Sequence, residues 1–182
     1  MTVRPIRMYG DPSLRQKAPE VTDVDNNAEV RRLVTDLGDT LVDAGGAGLA
    51  APQIGVSQRV FVYRWEGEVH HLVNPRLVEA SVDDEVVDLE GCLSIPGLAY
   101  DLARPRRIVA EGFDQHGEPV VVDGTERLAR CLAHETDHLD GVLFIDRLPL
   151  DLRKRALREI RELLVDGEDV RVGQSPHARF LG

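Results

Sequence analysis

The stretch "LAHETDHLDG", residues 132–141, constrains this chain more than any other. It sets His134 and His138 four residues apart, with Glu135 beside the first. Two imidazoles at that spacing can meet one ion if the segment is an α-helix, because residues i and i+4 then stand one above the other on a single face. Glu135 is rotated to the side, where its carboxylate can reach a water on such an ion. Two histidines do not complete a metal site. A further ligand has to come from elsewhere, so the fold must carry a distant segment up to this helix.

The identity of that ligand separates enzyme classes. The metzincin extension His-Glu-x-x-His-x-x-Gly-x-x-His matches at Gly141 but ends here on Phe144, which cannot ligate a metal. A glutamate on a later helix, as in thermolysin-like enzymes, keeps Glu159 and Glu162 open, although "RKRALREIREL" reads as a solvated face of alternating charge. The chain has two cysteines, Cys92 and Cys131. Cys131 lies three residues before His134 on the same helix face and reads as a small buried apolar residue beneath the site. Cys92, in "EGCLS", lies outside the helix and can approach an ion from the opposite side, where its thiolate would be a strong ligand. Two histidines and one cysteine leave a position open for water, the catalytic arrangement. A structural site would need a fourth protein ligand.

Around this helix the chain reads as α+β. Residues 1–25 are irregular, with prolines at positions 5, 12 and 19. Val30, Leu33, Val34, Leu37, Leu41 and Val42 recur at helical spacing and predict a first helix over about 26–44, stopped by Gly45-Gly46. "GAGLAAPQIGV" reads as a glycine-rich turn. "QRVFVYRW" and "HHLVNPRLVEA" predict strands, and "DEVVDLEGCLSIPG" a short strand running into a loop. "RRIVAEGFDQHGEPVVVDG" predicts a hairpin turning at His116-Gly117. Asp123 with Glu126 predicts a capping box at the start of the metal-binding helix, and Gly141 its end. "LDLRKRALREIRELLVDG" predicts a last helix. The expected architecture is short, mostly antiparallel strands around a central metal-binding helix, with N-terminal and C-terminal helices. Residues 1–166 form one expected catalytic domain, and residues 167–182 an expected mobile tail.

At 182 residues and net charge −10, the chain can bury a full core and disfavours binding nucleic acid or an anionic membrane by bulk charge. No segment is apolar enough to span a membrane, and the first residues lack the apolar core of a secretory signal. Two free thiols fit a reducing cytoplasm.

Three segments in order, "GAGLAAPQ" (46–53), "EGCLS" (90–94) and "HETDH" (134–138), closely resemble the three motifs of the bacterial peptide deformylases. The resemblance runs from "GDPSLRQKA" to "GVLFIDRL". It differs at Ala133, where the family more often has glutamine or histidine, and at Ala47, where a larger aliphatic residue is usual. An arginine the family often carries soon after the cysteine motif is also missing. The resemblance implies removal of the formyl group from the N-terminal formyl-methionine of nascent polypeptides. It implies Cys92, His134 and His138 as metal ligands, with Fe(II) as the ion and zinc or nickel as substitutes. Glu135 is the implied general base and acid; the Gln53 side-chain amide and the Leu93 backbone N–H are the implied donors to the carbonyl oxygen. Ala47, Gly48, Leu49, Gly91 and Cys131 are implied to contact substrate, with Gly48 pairing to its main chain, and Glu90 to steady the ligands from behind. The basic last helix, with Arg153, Lys154, Arg155, Arg158 and Arg161, is implied to reach the ribosome. A monomer in the cytoplasm is expected.

Overall fold

A computed structural model describes residues 2–25 and 27–165. The expected tail, 167–182, lies outside the described residues. Among the described residues, seven strands and four α-helices follow one another in the order α1 (Ala28–Ala44), β1 (Gly48–Ala50), β2 (Val60–Trp65), β3 (Glu68–Ala80), β4 (Glu85–Cys92), β5 (Ile95–Pro105), β6 (Arg107–Phe113), β7 (Pro119–Thr125), α2 (Glu126–Leu139), α3 (Phe144–Arg147) and α4 (Leu150–Val165). The strands build a five-stranded sheet in the order β1-β2-β3-β6-β7 and a separate β4-β5 pair. Every pairing is antiparallel.

The first helix follows its periodicity. The Asn27 side chain accepts the N–H groups of Glu29 and Val30, and Gly45 ends the helix in the left-handed region at φ 63. Val30, Leu33, Leu37 and Leu41 form its buried stripe and pack on Leu49, Val60 and Val62 of β1 and β2. β3 bends where "NP" interrupts it. Asn74 takes φ 51, the register with β6 slips between Val73 and Arg76, and the Asn74 side chain clasps both backbone groups of Val21.

Four local expectations differ from the structure. "GAGLAAPQIGV" is not simply a turn: it forms β1 and then a 3-10 helix over Ala51–Ile54, because β2 offers a free edge. The loop expected after Cys92 is β5, an eleven-residue strand whose Leu98, Tyr100 and Leu102 enter the core against Phe144 and Ile160. The Asp123–Glu126 capping box does not form. Thr125 is the residue before α2, Asp123 sits in β7 and pairs with Arg107, and Glu126 pairs with Arg106. A helical turn, α3, precedes α4 where the sequence predicts no element.

α2 is central. Leu128, Leu132 and Leu139 pack on Phe61, Leu72 and Ile108 of the large sheet, and each fully buried leucine contributes roughly 1.5–3 kcal/mol. Its C-terminal end is held by Arg59, which donates to Asp140 at 2.7 Å. Beyond its exposed first turn much of its remaining surface is also covered, so Arg130, Glu135, Thr136, Asp137 and His138 are buried polar residues. Polar side chains kept inside a central helix are costly unless partnered, which marks this face as functional.

Candidate metal centre

β4 ends at Cys92 and α2 carries both histidines, so the ligands converge from two elements 42 and 46 residues apart in sequence. The thiol sulfur and one nitrogen of each imidazole all lie within 4.8 Å of one another, and all three residues are buried. Cys92 Sγ is 3.2 Å from His138 Nε2. The two rings meet edge to face at 4.9 Å. Among the described residues this is the group that could hold a metal ion. Soft thiolate with two imidazoles suits a transition metal, and three donors leave coordination positions open.

Glu90 is 1% exposed and lies behind His134, not in solvent. Its Oε1 accepts the Nδ1–H of His134 at 2.8 Å, which leaves Nε2 as the nitrogen free to face an ion. Arg104 donates to both Glu90 oxygens, at 3.0 and 2.6 Å, and Arg130 to one at 2.9 Å. Arg104 also reaches Asp137, which Arg147 holds from the other side. Burial alone would raise the Glu90 pKa, yet hydrogen bonds from His134 and Arg104 hold it well below the usual carboxylate range. Burial likewise pulls His134 down, and its hydrogen bonds with Cys92 and Glu90 outweigh that. Burial, reinforced by the neighbouring His134 charge, pulls His138 well below the ordinary histidine value.

Glu135 differs from its neighbour Glu90. It is 2% exposed and its Oε2 has no hydrogen-bond partner. Burial pushes its pKa up to about 7. A buried carboxyl group poised near neutrality, beside a potential metal site, can take up and return a proton.

Gln53 is turned by the backbone three residues before it. Its Oε1 accepts the Ala50 N–H at 2.8 Å, so its NH2 must face the site, where it lies 3.6 Å from Cys92 Sγ and 3.1 Å from Ser94 Oγ. Leu93 follows Cys92 in the β4–β5 turn and is buried at the groove wall. β1 is the edge of its sheet. The Ala47 C=O accepts the Arg64 N–H on β2, so by strand alternation the N–H and C=O of Gly48 point the other way, into the groove.

The groove is lined by Ala47, Gly48, Gly91, Leu93, Cys131 and Glu135, among others. Cys131 lines it partly exposed and is not a residue sealed beneath the site. Leu49 does not line it; its side chain is fully buried in the cluster with Leu41 and Val60. Glu159, the alternative ligand, is engaged by Tyr100 at 2.6 Å and Arg155 at 2.8 Å, and it is not among the residues whose ligand atoms converge on the histidines. Arg104 and Arg130 escaped the sequence reading. Arg130 carried a signal, because it stands one turn before His134 on the same face; Arg104 carried none, since only strand pairing delivers it.

Residues 3–154 match the family model described as polypeptide deformylase. The chain is 59% identical over 177 residues to the peptide deformylase of Acidothermus cellulolyticus, covering 97% of this chain and 96% of the relative. It is 54% identical to that of Parafrankia sp., over 99% and 98%. The crystal structure of peptide deformylase from Thermus thermophilus superposes with TM-score 0.82 at 43% identity, over 90% of this chain and 96% of that one. The one from Legionella pneumophila gives 0.84 at 36%, over 92% and 99%.

Proposed function

This chain belongs to the polypeptide deformylase family and is a metal-dependent hydrolase that removes the N-formyl group from nascent peptides; we propose that Cys92, His134 and His138 hold its ion and that Glu135 moves the proton. The observation that carries the reading is the unpartnered Oε2 of Glu135, buried next to three converging ligands.

The donor set fits Fe(II), with zinc and nickel as substitutes. A divalent ion there supplies Lewis acidity, which acidifies a water molecule and polarises the formyl carbonyl. Glu135 accepts the proton of the attacking water and returns it to the departing amine. The carbonyl oxygen gains charge as the tetrahedral centre forms, and the Gln53 NH2 and the Leu93 N–H donate to it. The Gly48 backbone pairs with the main chain of the substrate as an added strand, a contact blind to side-chain identity. Gly91 and Cys131 wall the methionine side chain. Glu90 keeps His134 in its Nδ1–H tautomer.

Residues 1–166 would make up the catalytic domain, acting as a monomer in the cytoplasm. No helix among the described residues is long and apolar enough to cross a membrane. The basic residues of α4, from Arg153 to Arg161, are exposed, although Arg153 and Arg155 also pair with Asp146 and Glu159. Docking of this face near the ribosomal exit would bring the enzyme to its substrate. Ribosome co-sedimentation should fall after charge reversal of Lys154, Arg158 and Arg161, and unchanged co-sedimentation refutes the contact.

Formate release from formyl-Met-Ala peptides by anaerobically prepared, iron-loaded protein tests the reaction. No formate with any divalent metal would overturn the assignment.

A further inference from the structure

The metal ligands belong to two elements that no strand ladder joins. Cys92 ends β4, which pairs with β5, while His134 and His138 ride on α2. The distance between the sulfur and the imidazoles therefore depends on side chains that bridge β4 and α2.

Arg130 is such a bridge. Its Nη1 donates to Glu90 Oε2 at 2.9 Å and its Nη2 to the Val86 C=O at 2.8 Å. One guanidinium thus grips β4 at two points four residues apart, one on the main chain and one on the carboxylate that orients His134. Arg130 is 8% exposed and stands directly below His134 and His138 on the helix face. A planar fork can hold two acceptors in fixed directions, which a lysine ammonium on a flexible stem does not. Arg104 approaches Glu90 from β5, which is paired with β4, and continues to Asp137, so its side chain meets β4 at the carboxylate alone.

We propose that Arg130 is a positioning residue for the metal centre: it locks β4 onto α2, sets the spacing of Cys92 from the two histidines and fixes the carboxylate behind His134. This rests on the assignment of Cys92, His134 and His138 as ligands.

The test uses full-length protein stripped of metal and titrated with Co(II), whose visible bands and thiolate charge-transfer band report ligand geometry. Arg130→Met keeps the side chain's length and removes the fork. It should bind Co(II) roughly 10–100-fold more weakly, the range for loss of a group that orients a ligand. Its bands should shift, and kcat for formyl-Met-Ala should fall more than KM rises. Arg130→Lys should recover part of the affinity. A folded Arg130→Met protein with wild-type Co(II) affinity and spectrum overturns the proposal. If that variant does not fold, Arg130→Lys decides: weaker binding with shifted bands supports the role, and wild-type behaviour refutes it. Cys92→Ala separates the two readings. A wild-type thiolate band lost in Cys92→Ala confirms the centre, so an unaltered Arg130→Met then sinks the Arg130 role alone. Identical spectra for wild type and Cys92→Ala sink both.

Discussion

Gly48 and Glu135 occupy adjoining space: a Cβ placed on Gly48 would overlap the Glu135 carboxylate. The edge of the sheet and the acid on the central helix are in contact only because position 48 has no side chain.

Gly48→Ala should therefore displace the Glu135 carboxylate while leaving the fold intact. A misplacement of about 1 Å in a catalytic group can cost on the order of 10²-fold. A loss of that order in kcat/KM for formate release, with an unchanged Tm, is expected. Wild-type turnover would show that the carboxylate can shift without consequence.

Glu135→Gln removes the proton acceptor and keeps the shape. Bound metal, counted by elemental analysis, should stay at the wild-type level. Activity should drop roughly 10²–10⁴-fold, the usual contribution of general acid–base catalysis. A variant with full metal and full activity would show that Glu135 moves no proton.

Glu90→Gln tests the buried charge cluster. The substitution leaves Arg104 and Arg130 facing a neutral amide at a site 1% exposed. Breaking a buried pair costs roughly 3–5 kcal/mol. For a chain of this size each kcal/mol shifts Tm by about 2–4 °C, so thermal unfolding should begin about 10 °C lower. An unchanged Tm would mean that the cluster contributes no net stability.

His71 makes stability depend on pH. Its Nε2 accepts the Gln115 N–H at 3.0 Å, tying β3 to the β6–β7 turn, so the folded state needs the ring neutral. Burial lowers its pKa below 6.5, opposed by nearby Asp114. The unfolded chain then binds the proton more readily, so this contribution is complete above the unfolded value near 6.5 and is lost as pH falls through the folded one. The Tm difference between wild type and His71→Gln should shrink on acidification from neutral pH. A difference that is constant across that range would show that the ring does not titrate with folding.

How much was legible in the chain depends on what each feature needs. The first helix was readable because its apolar spacing and its capping Asn27 and Gly45 are local. The ligands were readable because imidazole and thiolate chemistry, with i,i+4 spacing, restricts them to a few positions. β5 was not readable: its long run between Ile95 and Pro105 becomes a strand by pairing with β4, where Glu90 meets Tyr100 across the ladder. The expected capping box was misleading because Asp123 and Glu126 each found an arginine on a neighbouring strand or turn.

The sequence by itself singled out the candidate metal-binding helix, its two histidines and the carboxylate beside them, since those follow from side-chain chemistry and helical periodicity, while Cys92 stood out over Glu159 and Glu162 by its thiolate chemistry and the resemblance of the three motifs. Tertiary structure alone decided which groups stand behind them. Arg104 reaches Glu90 through a strand register, and Arg130 reaches the Val86 carbonyl across 44 residues of chain. Leu49 faces the core instead of the groove because β1 pairs with β2 and side chains alternate along a strand. Such contacts depend on how separate elements dock, and residue spacing along the chain carries no record of that.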